Sequence, residues 1–374
     1  MIEYLEIKYA NLETIGIIDT AKSVIWHKKY FGVGDFEIYV QATGINVRLL
    51  MRGNYVCRLN DDEIGVIERV EIKRDANEGL MIIASGRFAK SILERRIIYT
   101  LSGKTNKATV LTGNVESASR ALVANNATAC TFNTNRNIPL LQLGAHSGST
   151  KIIVDENGNP TQKQVTNDNL LEYTDALLRE YDMSAKIVLS SDESKLEYKC
   201  FEGIDRSMNN VSGIQSIIFS DDFDNLIDSD YIYDESGLRN MALIGGEGEG
   251  LDRFYSSVEG EGSGLSRREI FIDASSISQK YEDANEEEQT YTDEEYKKML
   301  DSRGKLELSS MIFFESFSGT INTSDELFVL GRDYTLGDIV TIQNNQIGVY
   351  ANVRITETTE VQDENGYSVS LNYE

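Results

Sequence analysis

Histidine is nearly absent from this 374-residue chain: His27 and His146 are the only two. Proline is as scarce, at Pro139 and Pro160, and Trp26 is the single tryptophan. So few histidines leave little material for general-base or metal-ligand chemistry. So few prolines exclude proline-punctuated linkers. The three cysteines, Cys57, Cys130 and Cys200, are far apart and odd in number, which excludes a disulfide framework or a zinc spacing and fits a reducing compartment. Apolar runs stop at lengths such as LMIIA (Leu80–Ala84), far short of a bilayer span, and MIEYLEIKYANLE carries no signal-peptide pattern. Positive charge is also deficient. Lys and Arg number 36 against 61 Asp and Glu, a net charge of −25, which argues against gripping nucleic acid or an anionic membrane.

What the chain has is glycine, 29 residues, and tyrosine, 19, over an apolar content of 40%. That composition suits paired strands with glycine turns around a real core. Two passages carry the pattern most clearly: Ser23–Val40 (SVIWHKKYFGVGDFEIYV) and Asn240–Ala274. Each reads as strand, glycine-bearing turn, strand. The expected fold is α+β and mainly β, with two β-barrel or sandwich domains, a partly helical middle domain and a helical insertion. The domain boundaries are 1–86, 87–184 and 185–374, with an acidic helical insertion near 276–304.

In the first region FEIYV alternates, INVRLLM continues the strand pattern, and Asp75–Gly79 is a hairpin loop. From Arg87 the spacing turns helical through Phe88, Ile92 and Leu93, followed by the basic pair Arg95 and Arg96. Residues 99–113 read as a loop or short extension, and Asn114 caps a helix through NVESASRALVANNA. Asp155–Asn159 (DENGN) carries an Asn-Gly turn signal. The clearest helix is 167–182, with Asn167 as N-cap and a stripe of Leu170, Tyr173, Leu177, Leu178 and Tyr181. Beyond Ala185 strands return, hairpins are expected at Ser191–Ser194 and Asp363–Gly366, and KLELSSMIFFESFSGTI reads as extended. The acidic run YEDANEEEQTYTDEEYKKML reads as a solvated helix with a Thr292–Glu295 capping box.

Sites that invite chemistry have plainer readings. His146 lies in GAHSGS beside Ser147 and Ser149, without a nucleophile elbow or an orienting partner, so it reads as a loop histidine. Gly245–Gly250 (GGEGEG) lacks the Lys-Ser/Thr of a phosphate loop, and its glutamates repel phosphate. Ser220–Asp230 is dense in carboxylates but lacks the glycine and twelfth-position glutamate of a calcium loop. Trp26 reads as a core anchor first and an interface anchor second. No catalytic residue, cofactor or metal ligand is assigned.

Six segments, in consistent order from about residue 15 to 374, carry a resemblance: SVIWHKKYFGVGDFEIYV, SGRFAKSILERRII, CFEGIDRSMNNVSGIQSIIFSDDFDNL, NMALIGGEGEGLDRFYSSVEGEGSGLSRREIFIDA, YTLGDIVTIQ and VRITETTE. Together they resemble the siphophage hub-like tail protein family. The resemblance implies a homotrimeric baseplate or tail hub in which each subunit supplies two related β domains. Its implied partners are a tail-tube or distal tail protein, a central spike or tail-tip protein and the tape-measure protein, in a virion tail assembled in the bacterial cytoplasm. It implies no active site. The alternatives are a glycan-degrading or glycan-binding tail protein. Residue types favoured in interfaces single out Trp26, Phe254, Tyr255, Arg267 and Arg268 as contact candidates.

Overall fold

The computed structural model describes residues 4–59, 61–99, 109–155, 158–282, 287–312, 314–321, 327–345 and 348–374. Alternating residues build its first third. β1 (Leu5–Lys8), β2 (Thr14–Ile18), β3 (Ala21–Lys29) and β4 (Asp35–Gln41) follow in close succession. In β4, Phe36, Ile38 and Val40 are buried while Asp35, Glu37 and Gln41 face water. The next segment corrects the expectation of continued strand. INVRL forms helix α1 (Gly44–Leu49), because the Thr43 hydroxyl accepts the Asn46 N–H at 3.1 Å and caps it. The helix then buries Leu49 and, just beyond it, Leu50 in the first core. β5 (Tyr55–Arg58), β6 (Ile64–Asp75) and β7 (Gly79–Phe88) complete this region. At the β6–β7 turn the Asp75 carboxylate accepts the N–H groups of Asn77 and Glu78 at 2.8 and 3.1 Å.

A 3₁₀ helix over Ala89–Arg95 leads into the middle of the chain. There lie β8 (Thr109–Thr112), α2 (Val115–Val123), β9 (Leu141–Leu143), β10 (Gln162–Val165), α3 (Leu170–Glu180), β11 (Ser184–Leu189) and β12 (Leu196–Phe201). Asn114 caps α2 as expected, accepting the Ser117 N–H at 2.8 Å. The cap of α3 is Asn169, not Asn167: its side chain accepts from Leu171 and Glu172 at 2.9 and 3.3 Å, whereas Asn167 has a left-handed backbone. Leu170, Tyr173, Leu177 and Leu178 form the buried stripe. The β11–β12 hairpin packs with α2 and α3 in a single apolar core that includes Leu122, Leu177, Ile187 and Tyr198. The Asp155–Asn159 turn falls partly outside the described residues, as does most of the 99–113 loop.

The last region holds β13 (Ile218–Ser220), β14 (Leu226–Asp234), β15 (Met241–Gly245), β16 (Tyr255–Glu259), β17 (Glu269–Asp273), β18 (Lys280–Glu282), β19 (Glu288–Thr290), α4 (Asp293–Leu308), β20 (Phe314–Ile321), β21 (Ile339–Asn344), β22 (Val349–Asp363) and β23 (Gly366–Tyr373). Asn240–Ala274 contains three strands rather than two. β16 pairs antiparallel on one side of β15, and β17 returns parallel on the other. The acidic run is not helical throughout. β18 and β19 pair first, residues 283–286 lie outside the described residues, and α4 begins only at Asp293, capped by the Thr292–Glu295 box. KLEL, expected to be extended, is the last turn of α4. Tertiary packing decides this, since Tyr296, Met299 and Leu300 bury against β15–β17 and Leu306 reaches the middle core.

The expected mainly β, α+β class holds, but the barrel does not close. One thirteen-stranded sheet runs β14-β20-β23-β22-β3-β4-β7-β6-β5-β1-β2, with β21 branching from β22 and β13 from β21. Its terminal strands β2 and β14 are not paired with each other, so the sheet stays open. The join between the first and last regions is the antiparallel pairing of β3 with β22, from Lys29↔Glu357 to Val24↔Gln362.

Just after β3, Tyr30 ties the three regions together. Its N–H donates to Thr356 O at 2.7 Å, its hydroxyl donates to Asp182 O at 3.1 Å and accepts Gly203 N–H at 3.3 Å, and its carbonyl accepts the Ser184 hydroxyl. Gly337 lies against the Tyr30 ring with φ +94°, and a Cβ there would stand 2.4 Å from the ring. Tyr30→Phe leaves the half-buried Gly203 N–H without that acceptor and is expected to cost about 0.5–1.5 kcal/mol. Tyr30→Ala adds a cavity, for a loss of about 3–5 kcal/mol. Urea denaturation of the two variants checks both values.

Candidate functional site

The described residues offer three places where chemistry could be sought. In the first, Glu116 sits under the GAHSGS loop. Its carboxylate accepts the Ser147 hydroxyl at 2.6 Å and the Ser147 N–H at 2.9 Å, while His146 Nδ1 stands 3.5 Å away. Sequence reasoning missed this partner, which no local spacing reveals. Histidine and serine both point at the carboxylate, with no serine-to-histidine bond, so the set holds a loop and does not activate a nucleophile. In the second, the glycine passage, the only cation close to Gly245 and Gly246 is consumed. Arg253 donates to both carbonyls, at 3.0 and 3.1 Å, and to Asp273 at 2.6 Å. Among the described residues no group of three or more His, Cys, Asp and Glu could hold a metal ion. The side chains of Asp221 and residues 227–230 in the acidic loop are outside that description. Cys57 and Cys200 are buried, and burial pushes both thiols up to about 12, far from the reactive thiolate range.

The third place is a charged cleft of about 470 Å³ along the β3–β22 join. Strand alternation sends Trp26 and Lys28 of β3, with Thr358 and Glu360 of β22, to this side. Asp61 accepts the Trp26 indole N–H at 3.0 Å and pairs with Lys28 at 2.5 Å, and Arg58 pairs with Glu360 at 2.9 Å. Burial works to raise Asp61, but the charge and hydrogen bond of Lys28, the Glu63 N–H and the Arg58 charge together outweigh it and hold the carboxyl below its usual range. For Glu63 burial wins and the carboxyl is raised. Two carboxylates pushed apart in this way resemble an acid and base pair. Yet the lining contains no histidine, cysteine or serine, and Asp61, Asp62 and Glu360 are each bound by a cation. The arrangement neutralises charge across a strand pair.

On the opposite side of the same join His27 bridges two carboxylates. Its Nδ1 is 3.2 Å from Asp35 and its Nε2 3.2 Å from Glu357, which also binds Lys29 at 3.1 Å. The hydrogen bond to Glu357 outweighs burial and raises the imidazole above its ordinary value, while the same bond, with Lys29, pulls Glu357 down to about 2.

The five contact candidates separate cleanly. Trp26 is fully buried, tilted against Phe36 at 5.4 Å and edge-to-face with Phe88 at 4.9 Å, and is the core anchor. Phe254 packs beside Tyr296 at 5.1 Å, under the small sheet. Arg267 is held by Glu259 and Glu269, both at 2.5 Å, and Arg268 by Glu235 at 2.5 Å. Only Tyr255 presents an exposed ring, and it shares the outer face of β15–β17 with Leu243 and Phe271. The alternation in MALIG and EIFID was the signal for those two residues. Gly250 and Gly264, both at φ +57°, open two short 3₁₀ turns at opposite ends of this sheet, and each turn displays a fully exposed leucine, Leu251 and Leu265.

A family model for siphovirus ReqiPepy6 Gp37-like proteins matches residues 4–372. The chain belongs to this family. No curated protein shows sequence similarity to the chain. Among solved structures, this Gp37-like chain is similar to a tail protein from Neisseria meningitidis MC58, at 11% identity and a TM-score of 0.56, covering 99% of this chain and 96% of the other. It is also similar to the 43 kDa tail protein of prophage MuSo2 from Shewanella oneidensis, at 13% identity and a TM-score of 0.57, covering 100% and 98%. At such identities the likeness establishes a shared fold over the whole chain.

The His27 bridge gives a pH dependence with a definite sign. A histidine raised on folding contributes stability that is complete below its unfolded value of about 6.5 and is lost as pH rises through the folded value. A depressed Glu357 contributes stability above about 4.5 that is lost as pH falls towards about 2. The urea midpoint is therefore expected to fall as pH rises above about 6.5. In His27→Gln that slope is expected to flatten, as a denaturation series at several pH values would show.

Proposed function

We propose that the chain is a structural subunit of a siphovirus-type tail, or of a phage-derived particle, and that three copies form the hub ring joining the tail tube to the central spike or tail tip. The observation that supports this most directly is the family match over residues 4–372, together with a fold shared end to end with phage and prophage tail proteins. The cleft at the β3–β22 join adds a physical reason. Its ionisable groups, Lys28 with Asp61 and Arg58 with Glu360, are spent on tying β3 and β22 to the β5–β6 segment, which suits a rigid assembly part. The proposed contacts are sister subunits, a tube or distal tail protein above, a spike or tip protein below, and the tape-measure protein through the ring. Assembly would take place in the bacterial cytoplasm, and no described helix is long and apolar enough to cross a membrane.

The net charge of −25 fits a ring traversed by DNA, because an acidic wall keeps a polyanion from adhering. A basic channel wall in the assembled particle would contradict that part of the reading. Native mass spectrometry over a range of concentrations tests the whole. The expected species is three times the chain mass, joining co-expressed tube and spike proteins from the same gene cluster. A chain that stays monomeric and joins neither would overturn it.

A further inference from the structure

A basic patch in the middle of the chain plays no part in the fold described above. Arg95 and Arg96 end the 3₁₀ helix after β7, and Arg136 lies across from them. In a chain with 61 carboxylates, none of these three arginines is in an ion pair among the described residues. Arg96 and Arg136 spend donors on main-chain oxygens instead, and Arg136 also reaches Asn126 Oδ1 at 3.4 Å. Arg96 Nε donates to Arg136 O at 2.6 Å, and Arg136 Nη2 donates to Ile97 O at 2.5 Å. The buried Arg136 Nε has no hydrogen-bond partner. Burial, with the neighbouring Arg136 and Arg95 charges, pulls Arg96 below its usual value, so the cluster gathers positive charge against its own repulsion. Beside it Tyr99 and Phe132 stack at 5.1 Å with an interplanar angle of 15°, under the Arg136 guanidinium, 5.4 and 5.6 Å from the two rings. Tyr99, Phe132 and Ile97 are 40, 38 and 45% exposed. Apolar rings open to water beside unneutralised guanidiniums are the composition of an interface.

The outer face of β15–β17 has the complementary composition. Leu243, Tyr255 and Phe271 are 39, 50 and 51% exposed at its centre. Residues 241–274 carry seven carboxylates against three arginines, and all three arginines are already ion-paired: Arg253, which lies over the Tyr255 and Phe271 rings at 5.9 and 5.5 Å, with Asp273, Arg267 with Glu259 and Glu269, and Arg268 with Glu235. We propose that this acidic-rimmed sheet face of one copy seats on the Arg95–Arg96–Arg136 patch of the next copy. The idea rests on the trimeric reading above and specifies its contact. Like faces would repel, whereas basic against acidic attracts, so the contact is head-to-tail. A head-to-tail contact that closes makes a ring. Nucleic acid is the poorer occupant, because three arginines are set against the field of a chain at −25.

Two full-length variants, Arg95→Glu with Arg96→Glu, and Phe271→Asp, test this by sedimentation velocity beside the wild type, with thermal melts followed by circular dichroism to confirm folding. The wild type is expected to be trimeric. Each variant alone is expected to dissociate at concentrations at least about tenfold higher than the wild type, with an unchanged melt. Mixed one to one, the variants retain one intact contact and are expected to form a dimer containing one of each. Variants that remain as trimeric as the wild type, or a mixture without that dimer, overturn the proposed contact and leave the hub reading standing. A wild-type chain that is monomeric throughout overturns both. Binding of an oligo-dT probe that is lost in the double-arginine variant, with the trimer unchanged, would assign the patch to nucleic acid and overturn the contact as well.

Discussion

The pairing of β3 with β22 is the constraint on which the rest depends. It brings together residues as distant as His27 and Glu357, separated by 330 positions, and converts two β regions into one sheet. Closing so long a loop is less costly than it looks, because each doubling of length adds only about 0.6 kcal/mol. Charge is the harder problem. An acidic chain lays Glu357 and Glu360 of β22 against β3, and basic groups meet them there: His27 and Lys29 on one side, Arg58 on the other. Lys28 does the same for Asp61, which in turn fixes the Trp26 indole. The ion pairs sit on both faces of a strand pair, where each leaves few charges unmatched.

Everything between the paired strands becomes an insertion on a common platform. Tyr30, one residue beyond β3, reaches the middle core through Asp182 and Gly203 and the last region through Thr356. The helices of the middle core and the small β15–β17 sheet are thereby fixed relative to the large sheet, with Arg303 of α4 bound to Asp168 at 2.9 Å as a second tie. A fixed arrangement suits a part that must present the same faces to several neighbours. Two groups of exposed apolar residues lie away from the join, one at the outer face and turn tips of β15–β17 and the other beside Arg136.

Local signals were legible in the sequence and non-local ones were not. The Asn114 cap, the Thr292–Glu295 box and the Asp75 and Asp363–Gly366 turns each depend on four or five consecutive residues, and each stands where it was read. The α1 helix was missed because Thr43 was not weighed as a cap against the apolar run that follows it. The extension of α4 through KLEL was missed because its packing partners, β15–β17, lie far upstream in the sequence. The parallel return of β17, the open rather than closed sheet and the β3–β22 join are matters of pairing, on which alternation within a strand is silent. The contact candidates show the same limit. Residue type alone nominated Trp26, Phe254, Arg267 and Arg268, which the fold buries or pairs. The exposed Leu243 and Phe271 went unnamed, although the alternation in MALIG and EIFID sets them on one face.

Native-state hydrogen exchange read by mass spectrometry tests the central claim, that β3 and β22 unite the chain. If the join is integral, the amides of Val24–Lys29 and Glu357–Gln362 exchange together and as slowly as the buried core of β4 and β7. If those two segments exchange quickly while β4, β7 and β23 remain protected, the two β regions are independent units that only touch, and the account is wrong.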